Sequence, residues 1–303
     1  MATSKNKKIT YVGLIGMGIM GSAMALNLTK SGFSVVGVDT DLATKKKMRK
    51  SISHVVDTPA EILSYTNHLI TSLPSTAALS QVCDALIDAK RVNPSLKNII
   101  IAETSTLPLE DKEVAQKKLA DAGITLLDCP LSGTGAQAKT GDLAIYASGG
   151  KANIVKMQAI FKGFSRAQHF VGEFGAGTKM KLVANLLVAL HNVTTAEALL
   201  FGEGMGLDAN TMVNVLSDGA GGSRMLEVRG PVMAKRQWAQ AAMKVEIWQK
   251  DMSIIQAALT KAKVPAPLFA ASIPIYVAAM AQGHALDDTA AVYAVLERMA
   301  SRG

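Results

Sequence analysis

A glycine-rich segment between an apolar run and a helical pattern constrains this chain more than any other feature. The run that ends at Ile15 is followed by Gly16-Met17-Gly18-Ile19-Met20-Gly21, and a pattern typical of a helix begins at once. In a strand–turn–helix unit the first glycine permits the tight turn, the second lets backbone amides approach a pyrophosphate, and the third lets the helix pack close to the strand. The positive end of the helix would then hold the diphosphate. This segment predicts a dinucleotide-binding unit at the start of the chain.

An acidic residue follows the next predicted strand. Ser34 to Val38 is typical of a second strand, and Asp39 ends it, where a carboxylate would bind the ribose hydroxyls. A carboxylate there also repels a 2′-phosphate, so we expect NAD rather than NADP. The alternative is that Asp39 is a turn residue, since Asp41 can cap the following helix. Basic residues in that helix could favour NADP by binding phosphate, but such a charge run is more often a solvated face: Lys45, Lys46, Lys47, Arg49 and Lys50.

Short apolar runs alternate with polar helical segments from residue 9 to about residue 172. Such alternation predicts an α/β unit with a mostly parallel sheet that is covered on both faces, and the late strands could add antiparallel members at one edge. The predicted strands are 9–15, 34–39, 67–73, 97–103, 124–128, 143–149 and 167–171, with a short one at 54–56. The predicted helices are 19–31, 43–50, 59–64, 75–90, 109–122 and 151–162.

Strand signals disappear after Gly175-Ala176-Gly177, and apolar residues recur at helical spacing. The pattern predicts a second, all-helical domain, so we place domains at 1–172 and 173–303. Its first helix is long and leaves the first domain directly, and residues near its start are expected to face a cleft, a favoured place for small-molecule sites. The predicted helices are 178–203, 208–217, 223–229, 243–263, 267–282 and 286–301, with Gly-rich 219–222 and Pro231 between helices.

Composition excludes several classes of protein. The 303 residues are 49% hydrophobic with a net charge of +8, which suits small anionic ligands. The basic residues form no aromatic-rich patch, so we expect no nucleic-acid partner. Cys83 and Cys129 have no metal-ligand or disulfide spacing and indicate a reducing compartment, and the histidines form no metal spacing either. The most apolar long segment, 182–201, is interrupted by polar residues, so we expect a soluble, cytoplasmic protein without a membrane span.

Two segments offer groups that could act on a substrate. Lys181 and Asn185 are four residues apart, which places them on one helix face, where an ammonium and an amide can hold one hydroxyl or carbonyl oxygen. Ser132-Gly133-Thr134 follows a predicted strand and could form a nest for a carboxylate. Each has an ordinary alternative: a solvated Lys–Asn pair, and a plain strand–loop connection.

In order and separation, four blocks of this sequence resemble the β-hydroxyacid dehydrogenase family, which includes 3-hydroxyisobutyrate dehydrogenases and tartronate semialdehyde reductases. The blocks are 16–27, 128–141, 175–185 and Lys250-Asp251. The resemblance implies an N-terminal Rossmann domain joined by a long helix to an all-α domain, assembled as a homodimer or homotetramer.

The resemblance also implies roles for individual residues. Lys181 matches the catalytic lysine and Asn185 the substrate-orienting asparagine, while Ser132, Gly133 and Thr134 match the loop that binds the substrate carboxylate. Implied cofactor contacts beyond the glycine segment and Asp39 are Leu73 and Pro74 through their backbone, Thr106 and Lys250. The sequence departs from the family pattern at Cys129, Thr134, Ala184 and Met243, which leaves the exact substrate open.

The hypothesis from sequence is reversible hydride transfer between NAD(H) and a small β-hydroxyacid or its semialdehyde, with Lys181 as general acid/base. An imine reductase is the nearest alternative, although members of that group usually lack this lysine. A non-catalytic cofactor-binding interaction module is the second alternative. A decarboxylating phosphogluconate enzyme is the third, and its helical domain is normally much larger.

Overall fold

The computed structural model describes residues 10–301, and Ile9, where the first predicted strand begins, lies outside this range. The chain divides into two compact units, Met1–Lys181 and Leu182–Gly303. The division falls inside a helix, whereas the sequence places the domain boundary at 172, where a strand ends.

The first unit alternates strands and helices. Its strands are β1 (Tyr11–Ile15), β2 (Ser34–Val38), β3 (His54–Val55), β4 (His68–Thr71), β5 (Ile100–Glu103), β6 (Thr125–Asp128), β7 (Leu131–Ser132), β8 (Ala144–Ser148) and β9 (Ala167–Gly172). Its helices are α1 (Ile19–Lys30), α2 (Leu42–Met48), α3 (Pro59–Ile62), α4 (Thr76–Val92), α5 (Leu109–Asp121), α6 (Gly135–Lys139) and α7 (Lys151–Lys162).

Within residues 10–301, these strands form one nine-stranded sheet in the order β3-β2-β1-β4-β5-β6-β8-β7, with β9 paired to β8. The strands from β3 to β6 along this order are parallel. Strand β8 runs antiparallel to β6 and β7, and β9 runs parallel to β8. The mostly parallel sheet and its antiparallel edge are confirmed, and the order is that of a Rossmann-type sheet.

Alternating side chains of the strands enter two apolar layers, one on each face of the sheet. Val12 and Leu14 of β1 pack in the layer that contains α1 and α7. Ile15, the next residue of the same strand, packs in the layer that contains α4 and α5. Because both faces are covered, the carboxyl ends of the strands are the edge where parallel strands leave backbone and loop groups for a ligand.

The second unit is helical. Its elements are α8 (Ala176–Gly204, which begins in the first unit), α9 (Ala209–Ser217), α10 (Arg224–Ala234), α11 (Val245–Ala262), α12 (Pro267–Ala281), a 3₁₀ turn (Thr289–Ala291) and α13 (Val292–Met299). Helix α8 is long and apolar enough to cross a membrane by length and composition, with 39% of its most apolar window buried. Its Ala189, Val193, Ala196 and Leu199 belong to the core of the helical unit, which accounts for the apolar composition.

Two short elements, one proline and the start of the last helix differ from the sequence-based expectation. The helix expected over 286–301 begins at Val292, because the preceding segment forms the 3₁₀ turn Thr289–Ala291, which Asp288 caps. The segment 131–139, expected as a loop, contains β7 and α6, which are too short to show a periodic pattern. Pro231 lies inside α10 rather than between helices. Buried packing of Gly230 against Val213 of α9 and of Met233 in the core explains why the helix continues past a residue that lacks an N–H.

Candidate active site

The three glycines of the segment 16–21 have three different surroundings. Gly16 has φ +87°, a left-handed conformation that makes the tight turn after β1. A Cβ added at Gly21 would lie 2.0 Å from the Gly16 carbonyl oxygen, so only glycine allows α1 to approach the turn this closely. A Cβ added at Gly18 would meet nothing within 4 Å. The open space therefore lies at the middle glycine.

The N-terminus of α1 has the features of an anion site. Gly18 is its N-cap residue, no side chain caps the helix, and its first turn holds no acidic residue. The first backbone N–H groups of a helix have no partner within the helix and carry partial positive charge. Together with the open space at Gly18, these groups fit the diphosphate of a dinucleotide, which Gly16 to Gly21, with Met17, Ile19 and Met20 between them, would hold.

Asp39 is bound to the glycine segment. Its Oδ2 accepts a hydrogen bond from the Met17 N–H at 2.5 Å, and its Oδ1 accepts one from the Asp41 N–H at 2.9 Å. The cap of α2 is Asp41, whose side chain accepts from the N–H groups of Ala43 and Thr44. These hydrogen bonds lower the pKa of Asp41 below its ordinary value. Asp39 thus stands beside the glycine segment that fits a diphosphate, and it does not cap the helix.

The basic run on α2 is not uniformly solvated. Lys45 is 8% exposed and its Nζ lies 2.9 Å from Asp57 Oδ1, so the expectation of a solvated face is wrong for this residue. Burial of a lysine is tolerated here because its charge is paired. The remaining four basic residues of the run are exposed: Lys46, Lys47, Arg49 and Lys50.

The loops after β4 and β5 meet at the same sheet edge as the glycine segment, because β1, β4 and β5 are neighbours. Leu73 donates its backbone N–H to Ser105 Oγ at 2.7 Å, so a backbone contact from Leu73 to a cofactor would use its carbonyl oxygen. Pro74 is exposed and Thr106 is half-buried. Three predicted cofactor contacts, at 73, 74 and 106, therefore come together in the first unit.

The predicted carboxylate loop runs from β7 into α6. Ser132 ends β7, and Gly133 follows with φ +137°. Thr134 forms a capping box with Gln137: its hydroxyl accepts from the Gln137 N–H, and Gln137 Oε1 accepts from the Thr134 N–H at 3.0 Å. The hydroxyl and the amide of Thr134 thus have partners within the loop. Ser132 and Gly133 remain as groups of this loop that can face a ligand.

The start of α8 is held at the carboxyl end of β6. Asp128 Oδ2 accepts from the Thr178 N–H at 2.7 Å, and Asp128 Oδ1 accepts from the Thr178 hydroxyl at 2.8 Å. A Cβ added at Gly177 would lie 2.4 Å from the Tyr146 carbonyl oxygen and 2.7 Å from that of Asp128. Only glycine at position 177 therefore lets the start of α8 lie this close to the backbone of β6 and β8. Lys181, half-buried, follows in the next turn of the helix.

Three charged side chains lie fully buried beneath this edge. Lys112 Nζ is 2.6 Å from Glu103 Oε2 and 3.0 Å from Asp128 Oδ1, and all three side chains are 0% exposed. Burial alone would lower the pKa of Lys112, but attraction to the two carboxylates outweighs it, so the net shift of the pKa is upward. The folded protein therefore holds the Lys112 proton more tightly than water would hold that of a free lysine.

Asn185 and Lys250 lie in the helical unit. The Asn185 side chain is 3% exposed, and its Nδ2 donates to Asp251 Oδ2 at 3.0 Å. Lys250 Nζ is 3.5 Å from Asp251 Oδ1. The interpretation of Asn185 as a solvated partner of Lys181 is therefore wrong, because the amide is buried and oriented by a carboxylate.

The buried ion pairs of Lys112 with Glu103 and Asp128 were not predicted from the sequence. A detectable signal is present: Lys112, Ala115 and Leu119 form the buried stripe of α5, and a lysine in an apolar stripe requires buried partners. Glu103 and Asp128 each end a strand whose other residues are mostly apolar and buried, which marks them as those partners.

Comparisons with known families agree with this architecture. Residues 11–172 match the NAD binding domain of 6-phosphogluconate dehydrogenase. Residues 175–296 match the NAD-binding domain of NADP-dependent 3-hydroxyisobutyrate dehydrogenase. The two matches follow each other and together extend over most of the chain.

Individual relatives span nearly the full length. An L-threonate dehydrogenase of Cupriavidus necator is 27% identical, over 93% of this chain and 94% of the relative. A 3-hydroxyisobutyrate dehydrogenase of Bos taurus is 28% identical, over 95% of this chain and 87% of the relative. A crystal structure of 3-hydroxyisobutyrate dehydrogenase from Salmonella typhimurium shares the fold with a TM-score of 0.82 at 22% identity, covering 94% of this chain and 99% of that one. The chain belongs to the β-hydroxyacid dehydrogenase family and is an NAD(P)-binding oxidoreductase of the kind that acts on CH–OH groups.

Proposed function

We propose that this protein catalyses the reversible, NAD-linked oxidation of a small β-hydroxyacid to its semialdehyde, with Lys181 as general acid/base. The observation that carries the proposal is the anchoring of α8 to Asp128, which brings the turn of Lys181 to the carboxyl edge of β6. The glycine segment follows β1 at the same edge of the same sheet. A proton-transfer group and a diphosphate cradle therefore belong to one compact unit.

The residues would divide the work as follows. In oxidation, the Lys181 amine takes the hydroxyl proton while the carbon–oxygen bond becomes a carbonyl, and in reduction the ammonium returns that proton to the oxygen. The nicotinamide, when bound, supplies the hydride acceptor or donor. Asn185, oriented by Asp251, would hold the substrate oxygen beside Lys181.

The substrate is a small anion in this proposal. Ser132 and Gly133 would bind its carboxylate, Ser132 through its hydroxyl and Gly133 through its backbone N–H. The family resemblance implies the same contact for Thr134, but its hydroxyl and amide are paired with Gln137, so we assign it the role of fixing the loop. A contact between Lys250 and the cofactor stays a prediction.

Replacement of Lys181 by methionine tests the reaction. We expect Lys181→Met to lower kcat by about 10³-fold, within the range of general acid–base catalysis, while the Kd for NADH stays within about twofold of wild type. The assay is NADH formation or oxidation with a panel of small hydroxyacids, semialdehydes and cyclic imines. Lys179→Met, at an exposed position of the same helix, is the matched control. Turnover of imines alone, or near-normal turnover by Lys181→Met, would exclude the mechanism.

NAD is the proposed cofactor. The Asp39 carboxylate would repel a 2′-phosphate, and pairing of Lys45 with Asp57 removes one basic group that could have bound it. KM values for NADH and NADPH, measured side by side, decide between them. Asp39→Ser should reduce the ratio of the KM for NADPH to the KM for NADH. Asp41→Ser, which changes the cap of α2, should leave this ratio unchanged. A wild-type preference for NADPH would overturn the assignment.

We also propose that the protein is cytoplasmic and forms a homodimer or homotetramer. Both cysteines are free and buried, which is typical of a reducing compartment. In the helical unit a groove of about 580 Å³ is bordered by exposed apolar side chains, among them Phe201 and Met299, each 68% exposed. Such a patch is typical of a protein interface. Light scattering of wild type and Phe201→Asp tests this, and a monomeric wild type would refute it.

A further inference from the structure

The buried cluster of Glu103, Lys112 and Asp128 connects the parts of the candidate site. An ammonium has three N–H donors. Lys112 donates hydrogen bonds to Asp128 Oδ1 at 3.0 Å and to the Ser105 carbonyl oxygen at 2.7 Å, and its Nζ forms an ion pair with Glu103 Oε2 at 2.6 Å. The ammonium thus has three oxygen neighbours within 3.0 Å, and the side chains of all three charged residues are fully buried.

On one side, the cluster extends to α8. Asp128 receives both hydrogen bonds from Thr178 and one from the Ser148 hydroxyl to its carbonyl oxygen at 2.9 Å. The same Ser148 hydroxyl oxygen accepts the Gly177 N–H at 2.9 Å. Two of the first N–H groups of α8 are therefore fixed by β6 and β8, three and four residues before Lys181.

On the other side, the cluster extends to the loops after β4 and β5. Glu103 Oε1 accepts the Ser105 N–H at 2.9 Å, and the Ser105 hydroxyl oxygen accepts the Leu73 N–H at 2.7 Å. With the bond from Lys112 to its carbonyl oxygen, Ser105 is held at three atoms. The segments that contain Leu73 and Thr106, two predicted cofactor contacts, are joined to the same ammonium.

Stability alone is a weak reason for such a cluster. Buried ion pairs can often be replaced by apolar groups of similar volume without loss of stability, since desolvation of the charges offsets their attraction. Charged hydrogen bonds do, however, specify direction and distance more strictly than apolar contacts. The buried charges of Glu103, Lys112 and Asp128 are therefore better explained by a need to fix the positions of the segments that they connect.

We propose that Glu103, Lys112 and Asp128 are positioning residues, which hold the first turn of α8, and hence Lys181, at a fixed distance from the loops that bind the cofactor. This inference rests on the proposed function of Lys181. The two carboxylates have separate roles: Asp128 orients α8, and Glu103 orients the loops after β4 and β5.

Because the two carboxylates have separate roles, substitution of Asp128 should mainly lower kcat, and substitution of Glu103 should mainly weaken NADH binding. Asp128→Asn replaces one acceptor oxygen by a donor that cannot accept the Thr178 N–H, and we expect kcat to fall by about 100-fold, the scale of a misplacement of ~1 Å, with the Kd for NADH within twofold. Glu103→Gln should raise the Kd for NADH more than it lowers kcat. Hydrogen exchange of peptides covering 176–182 should become faster in Asp128→Asn. Leu86→Ala, a core substitution on α4, is the control for general destabilisation and should cause neither effect below its melting temperature.

A triple variant without charges at the cluster distinguishes a positioning role from a purely stabilising one. Glu103→Gln/Lys112→Met/Asp128→Asn contains no buried charge at the cluster, and we expect it to fold with kcat as low as that of Asp128→Asn. Wild-type kcat in this triple variant would overturn the proposal, as would unchanged exchange and kcat in Asp128→Asn. Failure of the proposed function has a different signature: Lys181→Met would keep turnover. If no hydroxyacid is turned over, helix exchange and NADH affinity still decide whether the cluster positions these segments.

Discussion

Alanine substitutions at Gly18 and Gly21 should have opposite consequences. At Gly18 the backbone has φ −62° and ψ −159°, which alanine adopts, and an added Cβ has no neighbour within 4 Å. Alanine is a poorer N-cap residue than glycine, by about 0.5–1 kcal/mol, but it reduces the entropy of the unfolded chain by about 0.4–1 kcal/mol. The two effects offset each other, so the free energy of unfolding without cofactor should change by less than about 0.5 kcal/mol.

At Gly21 the same methyl group would lie 2.0 Å from the Gly16 carbonyl oxygen, against at least 3.4 Å for an ordinary contact. The backbone of α1 would have to move away from the turn, and overpacking of this kind costs about 1–3 kcal/mol or more. Gly21→Ala should therefore unfold several degrees below wild type even without cofactor.

Cofactor affinity completes the comparison. In Gly18→Ala the methyl group occupies space next to the proposed diphosphate, and a clash of about 1–3 kcal/mol corresponds to about a 5- to 150-fold increase in the Kd for NADH. Fluorescence titration with NADH and thermal unfolding with and without NADH measure both quantities. Wild-type affinity in Gly18→Ala, or destabilisation equal to that of Gly21→Ala, would refute the placement of the diphosphate at this loop.

Two further substitutions test local features. Ser223 caps α10 by accepting the Leu226 N–H, so Ser223→Ala should lower the free energy of unfolding by about 1 kcal/mol, as measured in urea; an unchanged urea midpoint would contradict the cap. Burial raises the pKa of the Cys83 thiol from 9.0 to about 11. The folded state thus binds this proton more tightly, and the stabilisation is complete below pH 9 and is lost as pH rises through about 11. The stability of wild type should fall more steeply across this range than that of Cys83→Ala, and parallel curves would contradict the shift.

The sequence predicts those parts of the fold and site that depend on local patterns. Gly16, Gly18 and Gly21 follow an apolar strand at fixed spacing, and the spacing alone predicts a separate role for each: the turn, the open space and the close approach of the helix. Most of the longer helices and strands are likewise found to within a few residues because burial imposes their periods, although the helix expected over 286–301 begins at Val292 and the one expected over 223–229 continues to Ala234. The short elements around Ser132 and Thr134 have no period, and their structure depends on pairing with β8.

Contacts between distant segments are what the sequence does not reveal. Lys112 shares the stripe of Ala115 and Leu119 on α5, which indicates that its charge needs buried partners, but only the packing of α5 against the sheet brings Glu103 and Asp128 to its ammonium. Asn185 and Asp251 are 66 residues apart, and neither residue type predicts the other as a partner. Asp39 is a related case, because its bond to the Met17 N–H exists only once β2 lies beside β1.

The contact at Gly177 has a consequence for the engineering of this enzyme. Because backbone oxygens of Tyr146 and Asp128 would lie within 2.7 Å of any added Cβ, no side-chain rotamer relieves the clash, and a saturation library at this codon would return only glycine. Diversity intended to change substrate range is better placed at codon 132 and its neighbours in the strand–helix connection, where a new side chain would alter the proposed carboxylate site without displacing the helix that carries Lys181.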